Sequence, residues 1–135
     1  MKSTIKHRVN NPDAPTIPEQ TIGLEILGRY WEVVWAPEFL TEDRYGHCDA
    51  NNQIILMRSG MRGAQCLDTF IHEITHAVSD STNIDLTEHQ VHNLGMAWTA
   101  IFRQNPELLM FIMDRIKEEE SRDYQQRTRT RRGDK

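Results

Sequence analysis

The sequence predicts an α+β domain: a small antiparallel sheet of three or four strands, then three helices. Two observations carry this. Residues 22–58 are rich in β-branched and aromatic side chains and are broken by short turn-forming clusters. From Leu67 the apolar spacing switches to the 3.6-residue period of a helix and keeps it to Ile116.

The elements follow in order. Residues 1–21 hold Pro12, Pro15 and Pro18 and few apolar side chains, which predicts a disordered arm. Residues 24–27 and 30–35 read as strands of a hairpin with Gly28-Arg29 at its turn, and Pro37 ends the second before a polar loop. A second pair is expected at 45–48 and 53–58, around the turn-forming Asp49-Ala50-Asn51-Asn52. Residues 59–63, with two glycines, link the sheet to the helices.

Leu67, Phe70, Ile71, Ile74 and Val78 form one helical stripe, and residues 79–83 break that helix. A second helix is expected over 86–104, with Val91, Leu94, Trp98, Ile101 and Phe102 on its apolar side. Asn105-Pro106-Glu107 supplies cap, first-position proline and first-turn acid for a third. Leu109, Ile112, Met113 and Ile116 would pack it down, with Trp31, Trp35, Trp98, Met110 and Met113 in the core. The folded domain therefore spans 22–119.

Composition bounds the function. With 38% hydrophobic and 27% charged residues, the 135-residue chain suits one globular domain. The longest apolar run, residues 108–113, is far short of a membrane span. The start, Met-Lys-Ser-Thr-Ile-Lys-His-Arg, lacks the apolar stretch of an export signal, which predicts a cytoplasmic protein. Cys48 and Cys66 read as free thiols. Residues 120–135 form a basic tail. From Arg122 onward six basic residues face two acids, so this end is +4 and the rest of the chain −8. Such a tail predicts a disordered end, or a contact with nucleic acid or an acidic partner.

The chemistry concentrates at His72-Glu73-Ile74-Thr75-His76. Residues four apart on a helix project from one face, so both imidazoles can reach one zinc ion. Glu73 lies about 100° round the helix, within reach of a metal-activated water, where its carboxylate serves as general base. Hydrolysis also needs a third protein ligand and an open position. The next helix offers Asp85, Glu88, His89 and His92. Glu88 stands three before Val91 and seven before Gly95, so it borders the core side, and Gly95 lets the two helices approach. Glu88 is the expected third ligand, with His92 or His89 as alternatives. A cap from Asp85 to Glu88 would compete for that carboxylate, whereas one from Thr87 to Gln90 would free it. His92, Tyr45 and His47 are candidates to stabilise an oxyanion. Asp80 either orients a histidine or ends the helix.

Residues 24–113, about two thirds of the chain, resemble the small zincin-like metallopeptidases of bacteriophages and bacterial mobile elements, related to the ImmA/IrrE type. The likeness rests on Trp31-Glu32-Val33-Val34-Trp35, Asp49-Ala50-Asn51-Asn52-Gln53-Ile54-Ile55 and Phe70-Ile71-His72-Glu73-Ile74-Thr75-His76-Ala77. It continues through Glu88-His89-Gln90-Val91 and Asn105-Pro106-Glu107-Leu108. It implies a gluzincin-type plan with Glu88 completing the site, Val91 standing where the family has Ala. It further implies a peptide substrate held on an edge strand, here 53–58, within an intracellular protein such as a phage or host regulator. The alternative expectation is a non-catalytic zinc protein that binds a partner or nucleic acid through the basic tail.

Overall fold

The computed structural model describes residues 21–36 and 44–133. The predicted arm, apart from Thr21, and most of the loop after Pro37 lie outside the described residues. Strands β1 (Ile22–Ile26) and β2 (Arg29–Ala36) form an antiparallel hairpin closed by the Ile26–Arg29 pair. Its turn is Leu27-Gly28, one residue earlier than expected. Both residues take positive φ, 50° and 82°. This is the pattern of a type I′ turn, whose twist matches that of the strands. Glycine suits the second central position, which pushes Leu27 into the first.

Strands β3 (Gly46–Asp49) and β4 (Ile54–Arg58) form the second hairpin. Its turn is held by Asp49, which accepts from the Asn52 backbone N–H and side-chain amide. The sheet, however, is mixed rather than antiparallel. Its order is β1-β2-β4-β3, and β4 lies parallel to β2, with Glu32 opposite Ile54 and Ala36 opposite Arg58. Turn chemistry encodes only neighbouring hairpins; the β2–β4 pair is non-local. The choice follows hydropathy. Ile54-Ile55-Leu56-Met57 buries Ile55 and Met57 fully and Ile54 and Leu56 in part, which suits an interior strand, whereas Gly46-His47-Cys48-Asp49 suits an edge.

Trp31 and Val33 on β2 and Ile55 and Met57 on β4 are fully buried and meet Ala77 of helix α1 (Gly63–Thr82). Phe70, Ile74 and Cys66 flank them. The most buried line of α1 is Thr69, Glu73 and Ala77; Val78, expected in the stripe, is exposed. The helix also runs through the predicted break at 79–83. The Thr82 hydroxyl donates back to the Val78 carbonyl (2.7 Å) and that of Ser79 to the Ile84 carbonyl, so these two hydroxyls are satisfied within or just past the helix. Asn83 ends it at φ 56°.

Helix α2 (Glu88–Gln104) begins with a capping box: Thr87 Oγ1 accepts from the Gln90 N–H, and Gln90 Oε1 from the Thr87 N–H. It packs on α1 through Val91, Gly95 and Thr99. Of the expected apolar side only Val91 is buried. Leu94, Trp98 and Ile101 remain substantially exposed, because the small residues allow the closer approach. A methyl group added at Gly95 would sit 3.4 Å from His72 Cα, so alanine just fits.

Helix α3 (Pro106–Arg131) starts at the predicted proline, but Asn105 does not cap it. Its side chain and N–H both donate to the Ile101 carbonyl and close α2 instead. No residue of α3 is buried, so Leu109, Ile112, Met113 and Ile116 do not join the core. Residues 120–131, expected as part of a disordered tail, form its last turns. Cys48, Cys66 and Trp35 are half-buried. Among the described residues no helix is long and apolar enough to cross a membrane.

Ile55 sits where both strands meet α1 without solvent contact. Ile55→Ala is expected to lower stability by about 2–5 kcal/mol in urea unfolding.

Candidate metal centre

The i, i+4 spacing on α1 brings the His72 and His76 rings to a centroid separation of 5.0 Å. Glu88, the first residue of α2, reaches across to both. Its Oε1 lies 2.9 Å from His72 Nε2 and its Oε2 lies 2.9 Å from His76 Nε2. The cap at Thr87–Gln90 leaves the Glu88 carboxylate free for this. One donor atom from each of the three lies within 4.8 Å of the others. Tetrahedral ligands about 2.0–2.1 Å from zinc stand roughly 3.3 Å apart, so small side-chain shifts accommodate an ion. Two imidazoles and a carboxylate are also the donor set of a hydrolytic zinc site.

The other candidates separate clearly. His89 meets the Asn93 amide at 3.1 Å on the exposed side of α2 and stays out of the centre. His92 lines the cleft with its ring 6.3 Å from that of His72, outside the three-donor group. His47 and Tyr45 line the same cleft, Tyr45 under the Arg58 guanidinium. Asp80 pairs with Arg29 at 3.3 Å, not with a ligand histidine. Asp85 borders the cleft without joining the donors.

Glu73 is 6% exposed, wedged between α1 and β3. Burial, and then the Glu88 carboxylate, push its carboxyl up to about 7, against a smaller opposing pull from Arg44. Burial also lowers the His76 pKa, which favours the neutral imidazole that binds metal. Cys48 is raised to about 12, first by burial and then by Glu73, Asp80 and Asp49. Without a metal it stays a thiol, and it lies outside the three-donor group.

Gly46 is the residue that sequence reasoning missed. A Cβ there would stand 2.8 Å from Thr69 Cγ2 and 2.9 Å from Glu73 Cγ, so only glycine lets β3 cross α1 this closely. A glycine inside a strand was the available signal. The strand beside the site is also β3, not the predicted 53–58 segment, which is interior as β4. The Arg58 N–H bonds to the Tyr45 carbonyl, which fixes the alternation. The N–H and C=O of Gly46 and Cys48 therefore point away from β4, towards the open edge. Both residues line a cleft of about 1040 Å³ that also holds His72, Glu73, His76 and Glu88.

Two outcomes follow. Gly46→Ala is expected to cost about 1–3 kcal/mol in urea unfolding, because Thr69 and Glu73 must both move. For metal-free protein, the Glu73 carboxyl binds its proton more tightly when folded than when unfolded. Stability therefore falls as pH rises from 4.5 to about 7 and levels off above. Glu73→Gln removes that cost. Its stability gain over wild type, measured by urea unfolding with chelator, should grow between pH 5 and pH 8 towards a value on the order of 3 kcal/mol.

Comparisons of the chain with protein-family profiles, with curated proteins and with solved structures find no match, and what the centre can do rests on its own donors and cleft.

Proposed function

We propose that the chain is a zinc-dependent peptidase acting on an extended segment of an intracellular protein. One observation carries the reading. His72, His76 and Glu88 converge on one point at the edge of an open cleft, with the buried Glu73 carboxyl beside them.

His72, His76 and Glu88 would hold the metal. When bound, zinc polarises the scissile carbonyl and acidifies water. Everything else falls to the chain's own residues. Glu73 accepts the proton of the attacking water and passes it to the departing amine. Its low exposure and its position against Gly46 keep that carboxylate from turning away. Among the described residues no strand pairs with the outer side of β3, and the outward N–H and C=O of Cys48 suit a substrate strand added there, with its scissile bond over the histidines. His92 on α2, its ring 6.3 Å from that of His72, is one donor for the oxyanion, and His47 and Tyr45 line the same cleft. The resemblance of residues 24–113 to small zincin-like peptidases implies the same ligands, His72, His76 and Glu88, and the same role for Glu73; it does not extend to His92.

A closed structural zinc site fits less well. It needs a fourth protein ligand, and His89 is bonded to Asn93 while His92 stands outside the donor group.

Protein purified without an affinity tag is expected to carry about one zinc per chain, lost in His72→Ala and Glu88→Ala. Glu73→Gln should keep its zinc and lose peptide hydrolysis by about 10²–10⁴-fold. Metal analysis alongside cleavage of a mixed peptide library tests both. A zinc-free wild type after reconstitution, or an active Glu73→Gln protein, would refute the assignment.

A further inference from the structure

The cleft beside the metal centre carries more negative charge than the centre uses. Asp68, Glu73, Asp80, Asp85 and Glu88 line it, against the Arg44 guanidinium. Glu73, only 6% exposed, opens into the cleft with no hydrogen bond or ion pair among the described residues. A divalent ion at the donors would offset two of these five carboxylates, and Arg44 a third. Arg29 takes one oxygen of Asp80 at 3.3 Å. Asp85 is left over. It is exposed, and its carboxylate has no partner among the described residues.

Its place is fixed all the same. The Leu86 N–H donates to the Ile84 carbonyl at 3.0 Å, which folds residues 84–86 into a tight turn with Asp85 at its apex. The Ser79 hydroxyl donates to that same carbonyl and accepts from the Leu86 N–H at 3.2 Å. Both neighbours of Asp85 are thus tied to the last turn of α1, where Asp80 also stands. Asp80 follows His76 by four residues, one turn further along the same face. At 1.5 Å per residue, the midpoint of the two histidines lies about 9 Å back along the axis. β3 runs the same way: Gly46 packs on Thr69 and Glu73, and Cys48 feels the charge of Asp80. A strand rises about 3.3 Å per residue. A segment laid on β3 with its scissile bond over the histidines therefore reaches Asp80 and Asp85 within about three residues.

We infer that Asp80 and Asp85 form a subsite for one basic side chain, arginine or lysine, on one side of the scissile bond, with Asp85 as the specificity-determining residue. This rests on the peptidase reading and adds the substrate class to it: an extended segment with a basic flank. The cation of the substrate neutralises Asp85 and shares Asp80 with Arg29. At the other end of the cleft stand Arg44, two residues before Gly46, and Asp68, one turn before His72, and their charges balance.

The test is the zinc-loaded full chain acting on a mixed peptide library. It is followed by kcat/KM on matched peptides with arginine, alanine or glutamate at the enriched position. Wild type is expected to enrich basic residues on one side of the cut, with arginine ahead of alanine by about tenfold. Asp85→Asn should bring that ratio close to one, and Asp85→Lys should favour glutamate over arginine. Asp68→Asn should keep the wild-type ratio. Both Asp85 variants should keep helix content and zinc; losing either would make Asp85 a structural residue and overturn the inference. Cleavage without basic preference overturns it and leaves the peptidase reading standing. An equal loss of preference in Asp68→Asn and Asp85→Asn also overturns it, because selection would then come from the general field of the cleft. Cleavage of no peptide at all overturns the peptidase reading and this inference with it.

Discussion

The clamping of α1 between β3 on one flank and α2 on the other is the constraint from which the centre follows. On the sheet side Gly46 lets β3 pass within contact distance of Thr69 and Glu73. On the other side Gly95 lets α2 come against the His72 backbone. The first approach depends on a missing Cβ, the second leaves van der Waals room for a methyl group at most, and together they position four side chains. Glu73 is pressed under the strand, the histidines face the gap, and Glu88 reaches across it from the first turn of α2. A longer side chain at either glycine would widen one flank and separate donors that now meet at hydrogen-bond distance.

The same clamping sets the electrostatics. A carboxyl that is almost fully buried beside a second carboxylate resists ionisation, and Glu73 rises to about 7. A half-buried imidazole resists protonation, and His76 falls. Without a cation the pocket therefore concentrates unfavourable terms, which is the usual condition of a site built for a charged ligand rather than for stability. A divalent ion would reverse them by offsetting the Glu88 charge and favouring the ionised Glu73.

The C-terminal third follows different physics. The sheet, α1 and the buried line of α2 form one core, while α3 adds no buried residue to it. Its first turns are apolar nearly all round, and its last turns carry the basic residues 127–132. Its apolar side chains are left in contact with solvent, and they contribute nothing to the core that holds the three donors together.

By itself the sequence determined the local features. The period switch at Leu67, the turn at Asp49–Asn52, the capping box at Thr87–Gln90, Pro106 at a helix start and the His72–His76 pair are all encoded by residues within five positions of one another. Glu88 was also legible, because helical phase and the cap leave few other ways to orient it. Tertiary structure alone decided the rest. The β2–β4 pairing is parallel and spans some twenty residues, beyond the reach of turn chemistry. That pairing makes β4 interior and leaves β3 as the edge beside the site. Trp98 and the methionines of α3 look like core by composition, yet small residues at Gly95 and Thr99 turned another face of α2 inward. Hydrophobicity says that a side chain gains from burial; only the shapes of the elements packed around it decide whether a place is available.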